Sequence, residues 1–184
     1  MSTLRDYLQQ KRAAIEARRT HALTEPQQPH LLKASVSAEG RSGIRRIRIR
    51  DFQVISDSGP DFAGYDLGPS SPELQLGVLG SCLTHVFLIQ ADLGIPLDSL
   101  SVEVTGQIDP RAGKPGFESV PVYPHNIAYD VRLESPASSA DIAALHDAVE
   151  RACPILNLLL NPQEIRGSIN HVQAAEPALA GRAG

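Results

Sequence analysis

The sequence predicts an α+β fold in which two central helices lie on a mainly antiparallel sheet. Three observations predict it. Alternating apolar and polar residues mark strands on both sides of a long apolar segment that has the length of a helix. A second helical pattern follows late in the chain. With 184 residues, the protein fits one domain plus an appendage, and it can bury a core without a disulfide or a metal.

The appendage is a helix predicted over residues 3–23. One stripe of this helix consists of Leu4, Leu8, Lys11 and Ile15. Two prolines then mark a linker. We therefore expect an N-terminal helix and linker over residues 1–29, a main domain over 30–175 and a flexible tail over 176–184.

Strands are predicted from residue 31, where the apolar period changes to two. Residues 31–56 contain two or three strands with a turn between Gly40 and Gly43. In the segment "IRRIRIR", Ile47 and Ile49 alternate with Arg46, Arg48 and Arg50, which predicts one apolar face and one cationic face. That cationic face fits either contacts with phosphate or a solvated face paired with acids such as Glu103, and the net charge of −4 favours the second.

The long apolar helix begins after a loop rich in glycine and proline. Ser70 and Glu73 form an S-x-x-E capping box, and Gly94 with Pro96 predicts the end about 22 residues later. Apolar side chains occupy nearly every face, which is typical of a helix at the centre of a protein.

The remaining elements follow in the order strand, strand and helix, with a last strand predicted over 164–172. Residues 98–109 alternate cleanly, and 117–135 give one strand or two. The helix after them is capped by Ser138 and ended by Pro154.

Composition argues against several classes of function. The net charge of −4 and the 4% aromatic content argue against a nucleic-acid-binding protein. The first residues are charged and lack a long apolar core, and no uninterrupted run of about 18 apolar residues occurs. We expect a cytoplasmic protein that binds no membrane.

The two cysteines are the candidate reactive residues. Cys82 lies in the middle of the long helix, and Cys153 lies where the late helix stops. Buried cysteines often act only as small hydrophobic residues. However, two thiols are what is needed to attack a peroxide and then resolve the sulfenic acid as a disulfide. Such chemistry needs a cation to lower the pKa of the attacking thiol, and the arginines between residues 41 and 50 are candidates.

Four motifs, in order, resemble the OsmC/Ohr-like family. They are "EGRSG", "YDLGPSSPELQLGVLGSCL", "GIPLDSLSVEVTGQID" and "RACPILN". The resemblance covers roughly residues 31–172 and is closer to the broad OsmC-like branch than to the branch dedicated to organic hydroperoxides. It implies an intertwined homodimer that reduces organic hydroperoxides, or hydrogen peroxide, in oxidative-stress defence.

The resemblance also implies roles for four residues. Cys82 matches the peroxidatic cysteine and Cys153 the resolving one. Arg41 matches the arginine that activates the thiolate, with neighbouring arginines as competitors, and Glu73 matches the carboxylate that orients the arginine. No bound cofactor or metal is implied; an external dithiol, in some members a dihydrolipoyl group, supplies electrons.

Helix geometry adds an expectation about Glu73. Nine residues separate it from Cys82, which is two and a half turns and roughly 13 Å. The two side chains therefore point in opposite directions on a straight helix. Either Glu73 serves the site of a partner subunit, or Gly77 and Gly80 mark a kink. The capping box explains Glu73 equally well, and both roles can hold.

Two further points stay open at the sequence level. His85 lies three residues after Cys82, where it could take the thiol proton or simply be a polar group of the pocket or core. The alternative to an enzyme is a non-catalytic dimer that binds a small apolar ligand in the same cleft.

Overall fold

The computed structural model describes residues 3–24, 28–40, 42–91 and 94–173. The helices and strands follow one another in this order: α1 (Leu4–Thr24), β1 (Ser35–Glu39), β2 (Ile44–Ile49), β3 (Phe52–Ser56), α2 (Ser71–Gln90), β4 (Ser99–Gln107), β5 (His125–Glu134), α3 (Ser139–Ala152) and α4 (Pro154–Leu160). The predicted α+β class is confirmed, with two antiparallel sheets.

The first sheet is a three-stranded meander in the order β1-β2-β3. Val36 pairs with Ile47, and Ile47 pairs with Val54, so apolar residues line up across the three strands. The second sheet is the pair β4-β5, in which Val102 opposes Val131. Both sheets follow the alternating pattern of the sequence.

The core forms where α2 meets the second sheet and the other helices. α2 packs mainly against β4, α3, α4 and α1, and Leu79, Leu83 and Phe87 of α2 are fully or almost fully buried. Gly80 allows this close approach, because a Cβ there would lie 3.2 Å from Cγ2 of Val104. Gly80 thus lets α2 pack closely on β4. The helix is unbroken from Ser71 to Gln90.

Helix ends follow the predicted local signals. Ser70 and Glu73 form the capping box of α2, and Ser138 with Asp141 forms that of α3. In α1 the predicted stripe is the side that packs: Leu8 is buried, while its other three members are partly buried.

One sequence-based expectation is wrong, and one helix was not predicted. Residues 164–172 form no strand. Of the one or two strands predicted over 117–135, the structure has one, because residues 117–124 have no pairing partner in the described chain. Pro154 ends α3 as predicted, but it also begins the unpredicted helix α4. The predicted tail, residues 176–184, lies outside the described residues.

The first sheet leaves much apolar surface uncovered. It packs mainly with itself, and Val36 and Phe52 are 60% and 63% exposed. The arginine face does not pair with Glu103, which lies in the second sheet opposite Asp130. Instead Arg46 pairs with Glu39 and donates to Gln53 at 2.8 Å.

By length and composition, α2 could also cross a membrane, with a mean hydropathy of 1.3 over Ser71–Gln90. Its contacts with β4 and three other helices are those of a central helix in a folded domain.

Candidate active site

The structure brings the two cysteines into contact. Sγ of Cys153 lies 3.4 Å from Sγ of Cys82, although the residues are 71 positions apart. Both are free thiols, and the Cys153 thiol donates toward the Cys82 sulfur. A disulfide needs about 2.05 Å between the sulfurs, so a small side-chain movement would join them.

Cys153 is held at a break between two helices. Pro154 disfavours helical geometry in the residue before it, and Cys153 accordingly has φ −73° and ψ 111°. Its amide still donates to the Val149 carbonyl at 2.8 Å, which completes the last turn of α3. The thiol is therefore fixed by backbone geometry, and its residue is fully buried.

The side chain of Asn157 clamps this break. Its Nδ2 donates to the carbonyls of Glu150 at 3.0 Å and Cys153 at 2.8 Å, with a weaker contact to that of Arg151 at 3.4 Å. Carbonyls at the end of a helix otherwise lack intrahelical partners. Asn157 thus joins α3 to α4 and fixes the position of Cys153.

The first turn of α4 offers an amide to each sulfur. The Leu156 N–H donates to Sγ of Cys153 at 3.5 Å, and the Ile155 amide lies near enough to the Cys82 sulfur to influence its pKa. Burial raises the pKa of the Cys82 thiol, and the Ile155 amide lowers it. The Cys153 sulfur raises this pKa further when it is negatively charged and accepts the Cys82 proton. Among the described residues, the balance favours a neutral thiol at Cys82.

Cys82 faces an open groove of about 410 Å³. Most of the groove is apolar, and its lining residues are Leu74, Gly77, Val78, Ser81, Cys82, His85 and Ile155. A small molecule with an apolar tail can therefore reach Cys82, whereas Cys153 lies behind it.

Glu73 lies away from this groove, as the helix geometry predicted. It is exposed and accepts from the Ser70 amide at 2.7 Å and from its hydroxyl at 2.6 Å. These hydrogen bonds lower the pKa of the Glu73 carboxyl, so that it is ionised at neutral pH. Its neighbours across the surface are Gly106 and Gln107 of β4 rather than Cys82.

The candidate arginines differ in what the structure describes of them. Arg41 lies outside the described residues. Its neighbour Arg45 donates to the Asp57 carbonyl at 2.6 Å and to the Ser56 hydroxyl at 3.0 Å, so it ties β2 to the end of β3. Arg46 is paired with Glu39. The competitors at positions 45 and 46 are thus occupied by partners in their own sheet.

His85 lines the groove beside Cys82, as its spacing of three residues predicted. Its Nδ1 lies 3.4 Å from Nζ of Lys11 on α1. One feature of the sequence is consistent with this contact: Lys11 is the single charged residue in the apolar stripe of α1.

A second polar cluster, which sequence reasoning missed, packs near Cys153. The Tyr129 hydroxyl donates to Glu150 at 2.5 Å and lies 2.8 Å from Nε2 of His146. Burial, followed by the Glu150 carboxylate, raises the pKa of Tyr129. His146 also stacks on the buried ring of Phe87, so the cluster packs against the core of the domain.

No metal is implied by the donors that the structure describes. Across residues 3–24, 28–40, 42–91 and 94–173, no three His, Cys, Asp or Glu side chains are grouped closely enough to hold an ion.

Comparison with protein families gives a match to the OsmC-like protein model over residues 64–166. Helix α1 and the first sheet precede the matched residues. No curated protein sequence matches the chain.

Solved structures of the same fold extend the match. An OsmC-like protein from Mycoplasma pneumoniae superposes with a TM-score of 0.62 at 19% identity, covering 72% of this chain and 89% of that one. An OsmC-like protein from Vibrio cholerae gives 0.57 at 13% identity, covering 70% and 93%. A Legionella pneumophila protein named an organic hydroperoxide resistance protein gives 0.51 at 12% identity, covering 72% and 91%. These likenesses concern the fold.

Proposed function

This chain belongs to the OsmC-like protein family, and we propose that it is a cysteine-based hydroperoxide reductase in the oxidative-stress defence of the cytoplasm. The observation that carries the proposal is the 3.4 Å contact between Sγ of Cys82 and Sγ of Cys153. Two free thiols in contact, one facing a groove and one buried behind it, suit a peroxidatic and a resolving cysteine.

The reaction proceeds in three balanced steps. The Cys82 thiolate attacks the distal oxygen of ROOH, an S–O bond forms as the O–O bond breaks, and the departing alkoxide takes a proton to become ROH. Cys153 then attacks the sulfenic sulfur, an S–S bond forms, the S–O bond breaks, and water leaves with the Cys153 proton. An external dithiol, of the dihydrolipoyl kind in our proposal, reduces the disulfide and is itself oxidised to a disulfide.

The groove favours organic hydroperoxides over hydrogen peroxide. Leu74, Val78 and Ile155 offer apolar contacts beside Cys82. Burying a methylene group contributes about 0.8 kcal/mol, so a hydroperoxide with an alkyl or aryl tail gains binding that H₂O₂ cannot. Either peroxide can undergo the same attack at sulfur.

Activation of Cys82 requires a cation, because burial raises the pKa of its thiol. We propose that Arg41 of a second copy supplies it and that Glu73 orients that arginine. Two features support a dimer. The first sheet packs little on its own core, and its apolar side chains Val36 and Phe52 are 60% and 63% exposed.

One equivalent of cumene hydroperoxide tests the proposed chemistry. The reduced protein should lose two thiols per chain and two hydrogens in mass, and the alcohol should appear in equal amount. If the thiols persist and Cys82→Ser behaves like the wild type, the peroxidase proposal fails and the non-catalytic ligand-binding alternative takes its place.

Mixed dimers test the shared site. Cys82→Ser and Arg41→Ala chains should each be inactive alone, and mixing them after dissociation should restore activity, since one site then holds both native residues. A monomeric protein in sedimentation, or a mixture that stays inactive, contradicts this arrangement.

A further inference from the structure

Helix α1, which lies outside the family match, is fixed beside the candidate site by its contacts with the rest of the domain. Leu8 is buried in the core. Arg5 forms an ion pair with Asp98, in which Nη2 of Arg5 donates a hydrogen bond to Oδ2 of Asp98 at 2.7 Å. Lys11 and Ile15 are partly buried along the same stripe. α1 therefore lies against α2 with defined residues facing it, rather than serving as a loose extension.

The contact between Lys11 and His85 determines which nitrogen of the imidazole carries the proton. An ammonium group has donors and no acceptor. Nδ1 of His85, 3.4 Å from Nζ of Lys11, must therefore accept, and the ring proton lies on Nε2. Burial lowers the pKa of His85, and the positive charges of Lys11 and Arg18 on α1 lower it further, so the ring is neutral at pH 7.

His85 and Cys82 line the same groove from one face of α2. The other groove residues, on α2 and α4, are uncharged, so α1 supplies the cations that act on this histidine. A neutral imidazole with its proton on Nε2 is a hydrogen-bond donor toward a molecule bound beside the thiol.

We propose that His85 donates a hydrogen bond through Nε2 to the peroxide oxygen that departs as alkoxide, and that Lys11 of α1 is the positioning residue that holds His85 in this tautomer. The inference rests on the proposed peroxidase function. The alkoxide takes its proton from solvent water, and His85 keeps its own. α1 thus completes the site.

Single-turnover oxidation of Cys82 by cumene hydroperoxide tests the role of His85. His85→Leu should slow the reaction roughly tenfold, which is typical for the loss of one strong hydrogen bond. His85→Gln, which keeps an N–H near the Nε2 position, should recover most of the rate. Lys11→Met should slow the oxidation several-fold, and Lys11→Arg should recover the rate. As a control, Lys114→Met removes an exposed lysine in the β4–β5 loop and should leave the rate unchanged.

The ¹⁵N NMR spectrum of the imidazole gives a readout independent of activity. The wild type should show the Nε2–H tautomer of His85, and Lys11→Met should show a mixture. An Nδ1–H tautomer in the wild type, or wild-type rates in both His85→Leu and Lys11→Met, overturns the inference while leaving the peroxidase proposal intact. A wild-type protein that does not react with peroxide overturns the proposed function and, with it, the role of His85.

Discussion

The surroundings of the two cysteines differ in almost every respect. Cys82 lies within an unbroken helix and lines an open groove. Cys153 lies at a helix break, fully buried and clamped by Asn157. In the proposed mechanism this contrast corresponds to separate tasks: Cys82 is accessible to solutes, and Cys153 is held at a fixed distance from Cys82.

The largest expected effect is the difference between the two serine variants. Cys82→Ser should lower the single-turnover rate with cumene hydroperoxide at least about a thousandfold, since the nucleophile is gone. Cys153→Ser should keep the first turnover and accumulate a sulfenic acid that dimedone labels. Mass spectrometry distinguishes them, and equal losses in both variants would contradict the division of tasks.

Access to the two thiols should differ by at least about tenfold in alkylation of the reduced native protein, because Cys153 reacts only after local opening. Iodoacetamide labelling followed by peptide mass analysis measures this, and in urea the rates should converge. Faster labelling of Cys153 in the native state would reverse the comparison.

The same labelling also has a defined dependence on pH. Burial raises the pKa of Cys82, so the thiolate fraction, and with it the rate, increases as the pH rises. If Arg41 activates Cys82, the midpoint of this increase should lie at higher pH in Arg41→Ala than in the wild type.

Loss of the Asn157 clamp should have an intermediate effect. Asn157→Leu removes hydrogen bonds to carbonyls at the break, which should lower the free energy of unfolding by about 1–3 kcal/mol and slow formation of the Cys82–Cys153 disulfide. Asn161→Leu is a matched control, because its side chain makes one exposed bond to the Asn157 carbonyl. Urea unfolding and stopped-flow thiol loss measure both; equal behaviour of the two variants would deny Asn157 its special role.

The smallest effect on stability is expected at Glu73. Glu73→Gln should change the free energy of unfolding by less than about 0.5 kcal/mol, because glutamine can also serve in a capping box. Ser70→Ala should cost about 1 kcal/mol. If Glu73→Gln still lowers peroxidase activity while Ser70→Ala does not, Glu73 orients the arginine. The reverse result would mean that Glu73 acts only in capping α2.

Local signals could be predicted from the sequence because they depend on neighbouring residues. The apolar stripe of α1 and the capping box at Ser70 and Glu73 are examples. The predicted strand over 164–172 was wrong, because a strand needs a partner edge that alternation alone cannot supply. Helix α4 is not predicted by the sequence pattern, because a proline at a helix end indicates a stop and gives no sign that it also begins the next helix.

The site was predictable in its parts and not in its contacts. Cys82 and Cys153 were singled out by type and motif, but their contact joins segments 71 residues apart. The hydrogen bonds of the Asn157 side chain were only weakly indicated by the sequence. Asn157 follows Pro154 by three residues, a spacing that places its side chain over the start of α4. The contact between Lys11 and His85 depends on how α1 packs, which the sequence pattern leaves open.

The 3.4 Å between the sulfurs has a kinetic consequence. Well-oriented groups within one molecule react as if at effective concentrations of the order of 10⁵ M or more. Peroxide in solution cannot reach such a concentration. A sulfenic acid on Cys82 should therefore condense with Cys153 to a disulfide before a second peroxide molecule reacts with it. Irreversible over-oxidation to sulfinic acid should therefore be confined to chains that have lost Cys153.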